Sequence, residues 1–343
     1  MIKAGIIGAT GYAGAELVRL LSAHPEAEIA FLGSRSYDGQ KFSSVFRDLT
    51  GVADEKCSNM SLKEMALGAD VVFTATPQGF SSSEMDEEIL ENTKVIDLSG
   101  DFRLKDPLVF EKWYGIPQGA PQFLDEAVYG LCEIRRDEIK APGVRLVANP
   151  GCFTTCSILT AWPAAAEGLI DTDTLVIDGK SGVSGAGRGA KVQNLFCEVN
   201  ESVKGYGLGN HRHTPEIEEQ LSCAAGKPVT VSFTPYLVPM ERGIFISEYA
   251  SMRPGVTADD FEAAYEKYYG EEEFVRLLPE GVSPETRWVR GTNSIEIGFK
   301  TDPRTGRVIL LGAIDNLVKG AAGQAIQNMN MLFGLPEGMG LHK

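Results

Sequence analysis

Short apolar runs alternate with helix-period segments over the first hundred residues. K-A-G-I-I-G (3–8), E-I-A-F-L-G (28–33), D-V-V-F-T-A-T (70–76) and K-V-I-D-L-S (94–99) predict buried strands, with G-V-R-L-V-A (143–148) as a further one. Between the first two, residues 13–24 carry Leu17, Leu20 and Leu21 at i, i+3 and i+4 and stop before Pro25, as a helix does. Strands alternating with helices predict βαβ units around a parallel sheet. Beyond residue 152 the pattern changes. An apolar helix over roughly 153–168 is followed by T-L-V-I-D-G-K, P-V-T-V-S-F-T-P-Y, G-I-F-I-S-E-Y and S-I-E-I-G-F, which alternate apolar and polar like strands of an antiparallel sheet with one covered face. Helices over about 214–224 and 257–269 would cover that face, and 314–333 reads as a last helix. No repeat or long linker interrupts the chain, so the boundary near 149 reads as a rigid joint.

The first strand runs into G-A-T-G-Y-A-G, with Gly8, Gly11 and Gly14 at three-residue spacing and a helix directly after. Glycines let the backbone approach a pyrophosphate, and the N–H groups at the helix start attract its charge. This placement predicts a dinucleotide cradle. Where an NAD-binding chain carries an acidic residue after its second strand, this one has Gly33-Ser34-Arg35-Ser36, which suits a 2′-phosphate and predicts NADP(H). The expected cofactor contacts are Gly8, Thr10, Gly11, Tyr12, Ala13, Gly14, Ser34, Arg35 and Ser36, with Thr76 and Pro77 after the third strand.

Composition narrows the class of function. The 343 residues suffice for two domains, and 43% apolar with 23% charged residues is a globular mixture. No apolar run is long enough to span a bilayer and no signal peptide is visible, so a cytoplasmic protein with no membrane partner is expected. A net charge of −15 repels nucleic acid, so none is expected as a partner, and an anionic substrate needs a local basic pocket. The six scattered cysteines predict free thiols, and no metal site is expected, since Cys152 and Cys156 have no second ligand pair at zinc spacing.

One thiol stands apart. In N-P-G-C-F-T-T (149–155), Pro150-Gly151 forces a turn and a helix begins, placing Cys152 where unpaired N–H groups favour a thiolate. Cys156, one turn deeper, reads as core. Of four histidines, His24 and His342 read as solvated. His211 and His213 fall in G-N-H-R-H-T-P-E-I, where Thr214-Pro215 starts a helix. One imidazole is expected as acid/base beside Cys152, with Arg212 or the other histidine meeting a substrate anion. His213 is preferred because Glu216 three residues on could orient its ring, while His211 stays open.

A nucleotide cradle, a helix-start thiol and a downstream histidine suggest that sulfur holds an acyl group while a nicotinamide delivers hydride. G-A-T-G-Y-A-G-A-E-L (8–17), D-L-S-G-D-F-R (97–103), Y-G-L-C-E (129–133), A-N-P-G-C-F (148–153), K-S-G-V-S-G-A-G-R (180–188) and G-N-H-R-H-T-P-E-I (209–217) together resemble the N-acetyl-gamma-glutamyl-phosphate reductases, relatives of aspartate-semialdehyde dehydrogenase, over nearly the whole chain. The resemblance implies that Cys152 is the nucleophile toward an acyl phosphate, with phosphate released. It implies further that Ser181, Gly182, Gly185 and Asn316 lie near the nicotinamide, and that Arg103, with Ser99, Asn149 and Arg212, binds substrate. Two departures are visible: Phe153-Thr154 where the family commonly has proline and tyrosine, and Cys132 where proline or threonine is usual. The expected architecture is α/β: a Rossmann-type domain over 1–149, completed by about 314–343, and an α+β catalytic and dimerisation domain over 150–313 with a mostly antiparallel sheet. A face of that sheet left uncovered predicts a homodimer or homotetramer. The rivals are reductases of aspartyl or aminoadipyl phosphates, favoured less by H-R-H-T-P-E-I, and a non-catalytic NADP-binding sensor.

Overall fold

The structure, a computed structural model, describes residues 1–342. The chain divides into two compact units, Met1–Pro150 with Ala321–Leu341 and Gly151–Gly320 with His342. The first unit is built on six strands: β1 (Ile2–Ile7), β2 (Ala27–Gly33), β3 (Val71–Thr74), β4 (Lys94–Asp97), β5 (Val128–Tyr129) and β6 (Leu146–Ala148). They lie in the order β2-β1-β3-β4-β6-β5, and every neighbouring pair is parallel. Both faces are covered, which explains why V-V-F-T is buried throughout instead of alternating. On one face Ile6 and Phe73 pack with Leu17 and Leu21 of the helix Tyr12–Ser22, and with Ala325, Ile326 and Met329 from the end of the chain. On the other, Val72 and Val95 pack with Met65, Ile89 and Leu90.

The second unit carries β7 (Ile170–Ser181), β8 (Lys204–Gly205), β9 (Ser232–Leu237), β10 (Ile244–Met252), β11 (Val275–Leu277), β12 (Ile295–Asp302) and β13 (Arg307–Ile314) in the order β11-β12-β13-β10-β7-β9-β8. Four of its six pairings are antiparallel; β11 with β12 and β7 with β9 are parallel. The helix Cys152–Ala166 is buried on nearly every side, and Pro163 sits inside it. A proline there removes the donor that the carbonyl of Leu159 would otherwise receive. The hydroxyl of Tyr269, from the helix Ala258–Tyr269, donates to that carbonyl at 2.8 Å instead. The opposite face of the sheet leaves Val176, Phe245, Tyr249, Ile309 and Leu311 only half-buried.

The segment 314–333 differs from the single helix its pattern predicts. Ile314 closes strand β13, a π-helical turn spans Val318–Ala322, and the α-helix proper is Gly323–Leu332. His24 also departs from expectation. It is buried, its Nδ1 accepts from Glu26 N at 3.2 Å and its Nε2 lies 3.0 Å from Asn330 Oδ1, with Gly340 packed against the ring.

Candidate active site

In the first unit the glycine spacing has a steric basis. Gly8 lies at φ +80, and a Cβ there would stand 2.2 Å from the carbonyl oxygen of Ala75. A Cβ on Gly14 would stand 2.2 Å from the Gly8 oxygen. Gly11 is the N-cap of the helix Tyr12–Ser22, and no side chain caps it, so the first-turn N–H groups around Tyr12 and Ala13 remain for an anion. The strand end is fixed from beneath: Gly8 N and Ala9 N both donate to Gly33 O at 3.0 Å, and Thr10 Oγ1 lies 2.7 Å from Ser34 Oγ. Arg35 is exposed beside Ser36, with its guanidinium 5.0 Å from the Phe80 ring centroid. Thr76 Oγ1, before Pro77, is buried with no hydrogen-bond partner among the described residues. A close-approach backbone cradle, an uncapped helix, a cation after β2 and an orphaned hydroxyl fit a phosphorylated dinucleotide.

Ser99, Asn149 and Arg103, expected from the resemblance to bind substrate, are buried and hydrogen-bonded within the unit. Ser99 Oγ donates to Asp97 Oδ2 at 2.9 Å and accepts from Asp101 N at 3.2 Å. Arg103 donates from Nε to Asn149 O and from Nη2 to Leu98 O, each at 2.8 Å. Asn149 uses its amide toward Ala321 O and Asn328. These three brace the loop after β4 against the strand end before Pro150. Burial raises the pKa of Asp97, and its neighbour Asp101 adds to the effect.

In the second unit, Cys152 is the first residue of its helix, after an N-cap Gly151 in extended conformation, and is partly exposed. Its surroundings are tight: a Cβ on Gly320, in the π-helical turn, would lie 2.9 Å from Cys152 Cβ. Glu216, buried in the first turn of the helix Thr214–Ala225, reaches this turn, and its Oε1 accepts from Gly151 N at 3.0 Å and from Thr154 Oγ1 at 2.8 Å. The residue expected to orient His213 therefore clamps the start of the Cys152 helix, a long-range contact that sequence spacing cannot reveal. Cys156 is core, and burial, reinforced by Glu248, pushes its thiol well up.

Both histidines gather on the residue next to the thiol. The Phe153 ring meets His211 edge-on at 5.9 Å and His213 at 6.1 Å between centroids, and the two imidazoles are 4.9 Å apart. Gly179 on β7 makes this possible, because a Cβ there would stand 2.6 Å from the Phe153 ring. His211 Nδ1 accepts from His213 N at 3.2 Å, so the neutral ring carries its proton on Nε2. Burial, with Arg212 beside it, lowers the His211 pKa from 6.5 to about 4. Arg212 itself is exposed. Tyr206, which the sequence reading missed although it lies five residues before His211, packs its ring 5.4 Å from that imidazole. Burial raises its pKa, and Cys152 adds to the effect, so the phenol stays protonated near the thiol.

The loop expected near the nicotinamide is internally braced. Asn316 Oδ1 accepts from Gly243 N at 2.6 Å, and Asn316 Nδ2 donates to Ser184 Oγ at 3.0 Å. A Cβ on Gly182 would stand 2.7 Å from Glu241 O, and one on Gly185 2.7 Å from Ser181 Oγ. The structure thus brings Ser181, Gly182, Gly185 and Asn316 together, and separately Cys152, His211, His213 and Glu216.

Comparison with known proteins adds independent findings. Residues 3–141 match the family model for the NAD binding domain of semialdehyde dehydrogenases, and residues 152–316 match the model for their dimerisation domain. Three N-acetyl-gamma-glutamyl-phosphate reductases, from Lachnospira eligens, Lachnoclostridium phytofermentans and Campylobacter jejuni subsp. doylei, are 61%, 56% and 53% identical, each over 99% of this chain and 98% of its own length. Among solved structures, aspartate semialdehyde dehydrogenase II of Vibrio cholerae in complex with ASA superposes with a TM-score of 0.71 at 16% identity, covering 97% of this chain and 98% of that one. Aspartate semialdehyde dehydrogenase of Candida albicans with NADP gives 0.70 at 17% identity over the same shares.

Proposed function

The chain belongs to the family of N-acetyl-gamma-glutamyl-phosphate reductases, and from that premise we propose that it reduces N-acetyl-gamma-glutamyl phosphate to N-acetylglutamate 5-semialdehyde, with NADPH as reductant and release of phosphate, in arginine biosynthesis. The observation that carries the reading to individual atoms is the gathering of both imidazoles on Phe153, directly after a partly exposed thiol at a helix start.

In this scheme the Cys152 thiolate attacks the γ-acyl carbon, forming a C–S bond as the C–O bond to phosphate breaks. Phosphate takes the electron pair and leaves without needing an acid. NADPH, held by the Gly8–Gly14 cradle with Ser34, Arg35 and Ser36 at its 2′-phosphate, supplies when bound the hydride that reduces the thioester. The oxyanion this leaves on the Cys152 adduct takes a proton from His213 to become the thiohemiacetal; on collapse His213 takes that proton back, the C–S bond breaks with its electron pair staying on sulfur as the thiolate, and the aldehyde is released. His211, neutral with its proton on Nε2, donates a hydrogen bond to substrate oxygen and does not titrate near pH 7. Arg212 supplies a local cation for the substrate anion in a chain of net charge −15. First-turn N–H groups at Cys152 stabilise the oxyanion, and Glu216 holds that turn in place.

The half-buried apolar face of Val176, Phe245, Tyr249, Ile309 and Leu311 is the surface proposed for a homodimer, consistent with the dimerisation-domain match. Among the described residues no helix is long and apolar enough to cross a membrane, which supports a cytoplasmic enzyme. The testing experiment follows NADPH oxidation at 340 nm with N-acetylglutamyl phosphate and with aspartyl phosphate, on wild type and Cys152→Ala. The acetylglutamyl substrate should be preferred by at least about 100-fold in kcat/KM, and Cys152→Ala should be inactive. Turnover by that variant would overturn the scheme.

A further inference from the structure

The helix Gly323–Leu332 is buried on all sides, yet it places Gln324 and Asn328 at 0% exposure. Buried amides are costly unless satisfied, and a helix needed only for packing would carry apolar residues there. The Asn328 amide is fully committed: Nδ2 donates to Gly130 O at 2.8 Å and to Asn149 Oδ1 at 3.0 Å, while Oδ1 receives the Cys132 thiol at 3.0 Å. Gln324 Nε2 in turn donates to Cys132 Sγ at 3.2 Å. At the far end Asn149 Nδ2 donates to Ala321 O at 3.2 Å. The bonds run in one direction, Gln324 to Cys132 to Asn328 to Asn149 to the Ala321 carbonyl. Gly130 admits this arrangement, since a Cβ there would lie 2.5 Å from Asn328 Nδ2.

Asn149 consequently has no polar atom to spare. Its N donates to Asp97 O at 2.8 Å, its O accepts from Arg103 Nε at 2.8 Å, and its side chain is held as described. Three residues later the chain reaches Cys152. We propose that Asn328 is a positioning residue for the Cys152 chemistry, fixing Asn149 and through it the Asn149-Pro150-Gly151 turn that delivers the thiol, with the Cys132 S–H selecting the one orientation of the Asn328 amide that can do so.

The thiol matters here as a donor, which makes the idea testable without emptying the core. The inference rests on Cys152 being the nucleophile. Threonine at 132 offers a hydroxyl in the same place, and valine offers the shape without the donor. Cys132→Thr should keep kcat within about threefold of wild type, whereas Cys132→Val and Asn328→Ala should lower kcat by about 10- to 100-fold, with KM for NADPH within about twofold. Peptide-resolved alkylation of Cys152 by iodoacetamide, measured against pH, should slow in the valine and Asn328 variants and stay near wild type in the threonine one. Asn149→Ala combined with Asn328→Ala should be no worse than either alone. Equal kcat and equal Cys152 alkylation in Cys132→Thr and Cys132→Val, both folded by circular dichroism, would overturn the proposal, as would a change confined to KM. Turnover by Cys152→Ala would instead remove the nucleophile assignment, so the two failures are distinguishable.

Discussion

Replacing Gly320 with alanine sets two effects against each other. In an ordinary helix Gly→Ala stabilises by about 0.5–1 kcal/mol, because the unfolded chain has less freedom to lose. At Gly320 the new methyl would lie 2.9 Å from Cys152 Cβ, 3.2 Å from Cys152 Cα and 3.3 Å from Ile314 Cδ1. Carbon atoms prefer about 3.5–4.0 Å, so the overlap with Cys152 is roughly half an ångström or more. Because one of the obstructing atoms is a Cα, it moves only with its backbone. Overpacking of this kind costs about 1–3 kcal/mol, which outweighs the helix gain, and the natural relief is displacement of the thiol. A shift approaching 1 Å at a reacting group costs about 100-fold in rate. Gly320→Ala should therefore lower kcat by about 10- to 100-fold and leave KM for NADPH within about twofold, because the glycine cradle belongs to the other unit. Initial rates from NADPH absorbance, with a thermal melt to report the folded fraction, measure both. A variant with wild-type kcat and unchanged Cys152 alkylation would show that the contact relaxes elsewhere, and the reasoning would fail.

Other outcomes follow from the same geometry. Because His211 is held near pKa 4 in the fold against 6.5 when exposed, its neutral form favours the native state above pH 6.5, and that stability is lost as pH falls from 6.5 toward 4. Denaturant midpoints across this range should drop in the wild type and flatten in His211→Gln; parallel pH profiles would refute the assignment. Glu216→Ala strands the Gly151 N–H and leaves the Thr154 hydroxyl only its bond to Gly151 O, so urea unfolding should show a loss of about 1–3 kcal/mol, and Glu216→Gln should recover most of it. Arg35→Ala should raise KM for NADPH by about 10-fold or more and leave NADH kinetics nearly unchanged; equal weakening of both would remove Arg35 from the 2′-phosphate site.

The sequence was most legible where local pattern and chemistry coincide. Gly8, Gly11 and Gly14 stand between a strand and a helix because backbone must pass close there, and Cys152 opens a helix because Pro150-Gly151 cannot continue one. Strand β13 escaped notice although R-V-I-L-L-G-A-I is apolar, and the helix predicted over 314–333 took in only its last residue, Ile314. The helix Gly323–Leu332 conceals its burial, since Gln324, Gln327, Asn328 and Asn330 look like a solvated face and are inside. Partners distant in the chain account for the remainder. Glu216 and Thr154 are 62 positions apart, Arg103 and Asn149 46, and no periodicity marks either pair. Ser99, Arg103 and Asn149, expected to touch substrate, show this: they brace the loop after β4 against the strand end before Pro150.

The first unit does not close until the chain has nearly ended. Its sheet is complete by residue 148, but Ala322, Ala325, Ile326 and Met329, which pack with Ile6, Leu17 and Phe73, come only after residues 151–320 of the second unit. At about 5–20 residues per second, a ribosome takes on the order of ten to thirty seconds to make residues 151–320. Throughout that interval the growing protein leaves part of an apolar face on a parallel sheet uncovered, which makes this half of the molecule, although first to be synthesised, the last to become a finished fold.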